Sequence, residues 1–494
     1  MLATLFAVMA HGREPDVSGL KSYAMPEYTI VTHDKGAARQ IPMQIAMIDS
    51  ALRKVLSGPR RIAGAPTYVV IARLGLWKGY LEPGPEYVGE FIPGRFVNYI
   101  LINDCGCGEG GLRGTIYYEY THQFLHTQFR GILPLWFDEG MAGLMQTTVF
   151  VGSKAMVGQR PFIALWSQDV APGWTPLRRL LDLEKSSPEY RSIVGWETGL
   201  ETWGLVHRGI VADPAYGKQM FDYLDALNDV SSIDDAVKAS FGISVEELNT
   251  ATYHYLRNGP FNVRRIEIDL PKPIALNPGR SMSELESLQL VADAMLVSGF
   301  NPEHVVEVIN AAQRRAPDSA EVIVLRMRLA ARDRADANLL QLLREMEPHL
   351  AKPAFARGAG LALFERVQDE RSDDSMNPDQ RLELQQRALE LLDKALRAQP
   401  DDPEAAWAFG ILAASSKQML GSALQRLLSA SESAPMNSDL AMASALVYEA
   451  MQKPMKMIAA LEDASRYSRS AEQRKRARQR IEELKKSGLG QPAN

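Results

Sequence analysis

Two histidines four residues apart, His122 and His126 in Glu119–Gln128 (EYTHQFLHTQ), carry the clearest chemistry in this 494-residue chain. On an α-helix, positions i and i+4 share one face and lie about 6 Å apart along the axis. Two imidazoles so placed reach one tetrahedral Zn²⁺ and supply two of the three protein ligands of a site that keeps its fourth position open. Glu139, in Leu133–Gly143 (LPLWFDEGMAG), is the candidate third ligand. The short turn Gly131–Leu133 lets a second helix fold back on the first and return Glu139 toward the histidines. An isolated HxxxH is common on helices, where it mostly means two exposed or internally satisfied histidines. Its pairing with a Pro-Leu-Trp-Phe entry and a Glu followed by Gly-Met-Ala makes the metal reading specific.

The elements needed to hold such a site are visible in the flanking pattern. Glu27–His33 and Pro66–Arg73 read as strands, Ala37–Leu56 as an amphipathic helix between them, and Tyr87–Ile92 with Arg95–Asn103 as a hairpin about Pro93-Gly94. A glycine-rich loop, Asp104–Gly114, leads into the histidine helix, which runs to about Phe129. Pro134 suits the first turn of the helix carrying Glu139, which runs to about Thr147. From 175 to 257 the pattern is helical. Residues 259–280, with prolines and glycines near their ends and a strand-like Arg264–Leu270, read as a linker.

These segments resemble the gluzincin branch of the peptidase MA-like superfamily, especially its bacterial members. The resemblance rests on H-x-x-x-H followed by P-x-W-x-x-E-G-x-A. Gly89–Asn103 resembles the family's edge strand, Trp174–Leu183 its W-x-x-L-x-x-L segment, Glu201–His207 (ETWGLVH) its Ser-Trp-Ala-Leu-Val helix, and Ile233–Leu248 its closing A-x-x-x-x-F-G-x-S-x-x-x-L signature. It implies an α+β zincin-like domain: an N-lobe over 27–150 with a small sheet and the metal-site helices, and a helical C-lobe over 151–258. It also implies bound zinc on His122, His126 and Glu139.

The departure falls where the family carries the glutamate that deprotonates the zinc-bound water, because this chain has Gln123. An amide cannot take up a proton near neutral pH. General-base assistance is worth on the order of 10²–10⁴ in rate, so ordinary peptidase turnover is expected to be severely impaired. The family's helix also often carries a tyrosine just before the Ser-Trp step, where this chain has Gly199 and Leu200. Glu119 is about one turn below His122 and within the arc of the histidine face. It reads as a carboxylate steadying an imidazole, as a solvated helix-start residue, or as a substitute base. Asp138 reads as an alternative carboxylate steadying an imidazole, or as an exposed neighbour of Glu139. Cys105 and Cys107, fifteen residues before His122, have no second Cys or His pair nearby and read as loop residues.

After about 281 the chain is helical by pattern to 487, and Pro400 and Pro435 are 35 residues apart, close to the tetratricopeptide period. Ala388–Pro400 and Val305–Pro317 resemble second helices of such repeats, while Leu339–Asp374 fits poorly. An irregular all-α solenoid that binds a protein or peptide partner is the expectation. A net charge of −5, with 46% hydrophobic and 23% charged residues, gives no reason to expect nucleic-acid binding. The basic run Arg474–Arg480 therefore reads as a solvated helix capping the solenoid. No apolar run reaches 18 residues, so no ordinary membrane-spanning helix is expected. Leu2–Ala10 (LATLFAVMA) in the first 26 residues resembles an incomplete export signal, predicting a periplasmic or secreted protein, with the cytoplasm as the alternative. Three functions follow: a zinc-binding domain that binds without cleaving, an active metallopeptidase with an unconventional base or restricted substrate, and a metal-free repeat scaffold.

Overall fold

A computed structural model describes residues 16–56, 65–72, 89–103, 110–129, 132–161, 175–183, 196–228, 232–272, 274, 276–298, 302–369, 376–468 and 470–487. Cys105, Cys107 and Leu2–Ala10 lie outside them.

The N-terminal sheet has six strands in the order β4-β5-β3-β2-β1-β9: β1 (Lys21–Ala24), β2 (Tyr28–Thr32), β3 (Thr67–Ala72), β4 (Gly89–Ile92), β5 (Asn98–Asn103) and β9 (Arg280–Ser281). β2, β3 and β5 run parallel, and β4 returns antiparallel to β5 as the edge strand. Side chains alternate between the two faces of this sheet, and both faces are covered. Ile30, Val69, Ile71, Ile100 and Ile102 pack with α1 (Lys35–Val55) and with α2 (Gly111–Gln128), the histidine helix. Val31, Val70, Ala72, Tyr99 and Leu101 pack against Leu288, Val291, Met295, Val305 and Val308 from the first two helices of the C-terminal region. A sheet buried on both faces explains why Val69-Val70-Ile71-Ala72 is apolar throughout.

After α2 come α3 (Leu135–Gln146), which carries Glu139, and a hairpin of β6 (Val149–Val151) and β7 (Lys154–Val157). The helices α4 (Leu177–Asp182), α5 (Trp196–His207, continued by a π turn Arg208–Ala212), α6 (Pro214–Ala226), α7 (Ile233–Phe241) and α8 (Val245–Asn258) complete this part. The starts of α6 and α8 follow from their caps: Asp213 accepts the amides of Ala215 and Tyr216, and Ser244 forms a capping box with Glu247. Stretch 259–280 differs from a linker. It contains β8 (Arg264–Glu267), which pairs with β7, and it ends in β9, which pairs with β1. Likewise Lys21–Ala24, inside the first 26 residues, is a strand of the sheet.

The remainder is helical: α9 (Glu284–Ser298), α10 (Pro302–Arg315), α11 (Ala320–Arg332), α12 (Asp336–Met346), α13 (Pro353–Gln368), α14 (Pro378–Ala398), α15 (Pro403–Ser416), α16 (Leu420–Ser433), α17 (Ser438–Ala450), α18 (Pro454–Tyr467) and α19 (Ala471–Lys486). Prolines occupy the first turn of α13, α14, α15 and α18, where a missing N–H is harmless. The pairs α15–α16 and α17–α18 repeat with first helices 35 residues apart, from 403 to 438. The stretch 339–374 breaks the period because α12 is short and is followed by a 3₁₀ turn, Glu347–His349, before α13. Among the described residues no helix is long and apolar enough to cross a membrane.

Candidate functional site

The candidate ligands sit where α2 and α3 fold back on each other. α2 is buried almost all round, with Thr115, Ile116, Tyr117, Glu119, Tyr120, Thr121, His122, Phe124 and Leu125 inside. α3 starts after Pro134, and Trp136, Phe137 and Met141 anchor it in the same core. Gly140 sets how deeply α3 seats. A Cβ there would lie 2.4 Å from the Thr202 carbonyl oxygen and 2.6 Å from Val206 Cγ2, both on α5. The Gly next to Glu139 is therefore a close-packing residue. The edge strand is held down in the same way, since a Cβ on Gly89 would lie 2.7 Å from Thr115 Cγ2 and 3.0 Å from the Glu119 side chain.

His122, Glu139 and Asp138 come together in the buried seam. His122 Nε2 is 3.8 Å from Glu139 Oε2, while His122 Nδ1 is 2.8 Å from Asp138 Oδ1. His126 is placed differently from the expectation of three converging ligands: its Nε2 is 3.1 Å from Asp138 Oδ2. Asp138 thus binds both imidazoles, one through each oxygen. Among the described residues no group of three or more His, Cys, Asp or Glu side chains surrounds a common point as metal ligands do. The donor set of two imidazoles and a carboxylate nevertheless has the chemistry zinc takes, and His122 Nε2 and Glu139 Oε2 already face each other.

Electrostatics hold this cluster together. Burial works against a charged imidazole at His122, but Asp138 and Glu139 outweigh it and raise its pKa to about 9. Burial likewise penalises the Asp138 carboxylate, and the two histidines overcome that penalty and hold its pKa far below the usual range. Two aromatic side chains complete the seam. The Tyr118 hydroxyl donates to Glu139 Oε2 at 2.5 Å, and its ring meets His122 edge-on at 5.0 Å. Phe91 of β4 meets the His126 ring edge-on at 5.2 Å.

The remaining expected residues fall around this cluster. Glu119 is buried beneath Gly89 of β4, which removes the reading of a solvated helix-start glutamate. It adds to the field that raises the His122 pKa. Gln123 lines a cavity of about 20 Å³ against the sheet, together with Tyr28, Thr67, Val69, Ile100 and Tyr120. A cavity of that size holds about one water molecule. Asp138 is a buried partner of both histidines, not an exposed neighbour of Glu139. Tyr118 was not singled out from the sequence, although its position at i−4 from His122 places it on the same helix face.

A second buried histidine, His207 on α5, lies in the segment resembling the family's Ser-Trp-Ala-Leu-Val helix. Its Nε2 faces the carbonyls of Asn262 at 3.0 Å and Gly158 at 3.2 Å, so that nitrogen carries the proton. Its Nδ1 then accepts from the Tyr255 hydroxyl at 2.6 Å. Burial pushes the His207 pKa down, and the two carbonyls offset this in part.

No protein-family model and no curated protein matches this chain. Among solved structures, a thermophilic TPR protein of Thermus thermophilus is similar at 14% identity and a TM-score of 0.32, covering 40% of this chain and 97% of its own. The helical-repeat description rests on the helices of this chain themselves.

Proposed function

We propose that residues up to about 280 form a gluzincin-like zinc-binding domain without ordinary peptidase turnover, coupled to helical repeats that engage a protein or peptide. The observation that carries this reading is the pairing of His122 Nε2 with Glu139 Oε2 across two adjoining helices, with His122 Nδ1 held by Asp138. His122, His126 and Glu139 would hold the ion, which when bound supplies Lewis-acid polarisation of a carbonyl or water.

The protein groups have defined tasks. If His122 held a metal through Nε2, its neutral ring would keep its proton on Nδ1 and donate it in a hydrogen bond to Asp138 Oδ1, leaving the Nε2 lone pair free. Tyr118 fixes one oxygen of Glu139. Gln123 offers an amide that donates and accepts hydrogen bonds but cannot remove a proton from water. Glu119, roofed by Gly89, lies in the field of His122 rather than on an open surface. The apolar segment Leu2–Ala10 adds export to this proposal, which cell fractionation of the full-length chain tests.

The decisive experiment measures metal content and peptide-library cleavage for the wild type, Gln123→Glu and Glu119→Gln. Stoichiometric zinc in all three, with cleavage only in Gln123→Glu, is the expected result. Robust chelator-sensitive cleavage by the wild type would overturn the impaired reading, and its loss in Glu119→Gln would identify a substitute base. Absence of zinc from every variant would leave a metal-free scaffold.

A further inference from the structure

In a solenoid each repeat touches mainly its neighbours, so a helical array has no intrinsic need to return to another part of the chain. Among the described residues, beyond the α9–α10 layer on the sheet, the later helices make two further contacts with the N-terminal part, and both fall on elements that flank the histidine cluster. The first is the turn between β4 and β5. Phe96 is buried in the core of the repeats with its ring 5.8 Å from Trp407, which in turn packs at 4.8 Å on Phe364. The Arg95 guanidinium stands 3.9 Å over the Trp407 ring and pairs with Asp439 at 3.3 Å. The Arg95 carbonyl accepts from Asn437 Nδ2 at 3.2 Å.

The second contact uses the basic run at the end of the chain. Arg474 on α19 is buried and donates to Asn228 Oδ1 at 2.6 Å, and Arg478 donates to the Asn228 carbonyl at 2.6 Å. The same Asn228 Oδ1 accepts the backbone N–H of Ile132 at 3.3 Å, two residues ahead of Pro134, the cap of α3. The first contact therefore leads along β4 to Gly89 over Glu119 and Phe91 against His126, and the second leads into the helix that bears Asp138 and Glu139.

We propose that the repeat region is an intramolecular brace: the Trp407–Asn437–Asp439 pocket takes this chain's own Arg95–Phe96 turn, and the last helix takes Asn228. Together they keep α2, α3 and the edge strand in register. The first grip is one hydrogen bond, one ion pair, one cation–π contact and the buried Phe96 ring, and the second is two hydrogen bonds from the last helix to Asn228; each is small beside the whole fold and can open locally without global unfolding. A ligand seated on the repeats in place of the turn would thus be felt at the histidine cluster. This inference needs no metal and stands independently of the zinc reading.

Hydrogen exchange read by mass spectrometry tests it on the full-length, metal-free protein. Arg95→Ala, at a half-exposed position, is expected to speed amide exchange about tenfold in 89–103, and Asn228→Ala about tenfold in 135–146. Both effects should extend into 111–128 while 403–467 keeps wild-type rates. Arg478→Ala, an exposed substitution, takes the place of Asn228→Ala if that variant does not fold. Changes confined to the repeats, or unchanged exchange at 111–128 in both variants, would overturn the brace.

Discussion

Replacing Gly140 by alanine sets two effects of opposite sign against each other at the residue beside Glu139. In a helix interior alanine is favoured over glycine by about 1 kcal/mol. The new Cβ, however, would lie 2.4 Å from the Thr202 carbonyl oxygen and 2.6 Å from Val206 Cγ2. An unstrained carbon–oxygen contact is about 3.3 Å, so α3 and α5 must separate by about 0.9 Å there. Val206 can adjust, but a backbone carbonyl inside a helix cannot rotate away. Overpacking of this kind costs about 1–3 kcal/mol, and a backbone obstacle puts it at the upper end. The net expectation is a loss of about 1–2 kcal/mol, by subtracting the propensity gain. The same displacement carries Asp138 and Glu139 away from His122, now at 2.8 and 3.8 Å. Urea unfolding of the metal-free protein followed by circular dichroism reads the first effect, and a cobalt or zinc titration reads the second. A Gly140→Ala protein as stable as the wild type, with unchanged metal affinity, would refute close packing as the reason for this glycine.

Asp138→Asn keeps the shape but removes the charge that joins two imidazoles in a buried seam, and it should lower stability by about 2–3 kcal/mol in urea unfolding of the metal-free protein. A change below about 0.5 kcal/mol would mean that Asp138 does not hold the pair. His207 gives one pH-dependent contribution, opposite in sign to that of His122, whose raised pKa favours the folded state at low pH. Its folded pKa is depressed, so the unfolded chain takes up a proton near pH 6.5 that the folded chain refuses, and its contribution is complete above that pH and lost as pH falls. At pH 5.5 the loss reaches up to about 1.4 kcal/mol relative to a His207→Gln reference, and identical urea midpoint shifts in the two proteins would contradict the assignment.

The ligand candidates were legible because helical spacing alone puts His122 and His126 on one face, and a short turn returns Glu139 toward them. The rotamers were not legible. Which imidazole nitrogen faces Asp138, and that His126 pairs with Asp138, depends on how α2 and α3 cross and on Gly140 allowing that approach to α5. The elements from β2 through α3 follow their apolar periodicities to within a few residues. The hairpin Val149–Val151 with Lys154–Val157 went unread because three- and four-residue strands carry little pattern, although Gly152 at φ 58° marks its turn. Zinc, cleavage and partner rest on the resemblance and the site, and the assays above decide them.

The boundary at 280 shows a different kind of failure. Prolines, glycines and a change to all-helical pattern suggested a linker between independent parts, and those signals are real for the chain's local conformation. They say nothing about which surfaces are apolar. The strand residues did: Val31, Val70 and Leu101 point away from the face that packs on α1 and α2, and a sheet with only one covered face would have polar side chains there. Their apolarity requires a second layer, which α9 and α10 provide, and the pairing of β9 with β1 ties that layer to the sheet edge. The repeat region thus completes the fold of the sheet that carries the edge strand over the histidines. A partner surface on those helices is, by the same packing, one layer removed from the site.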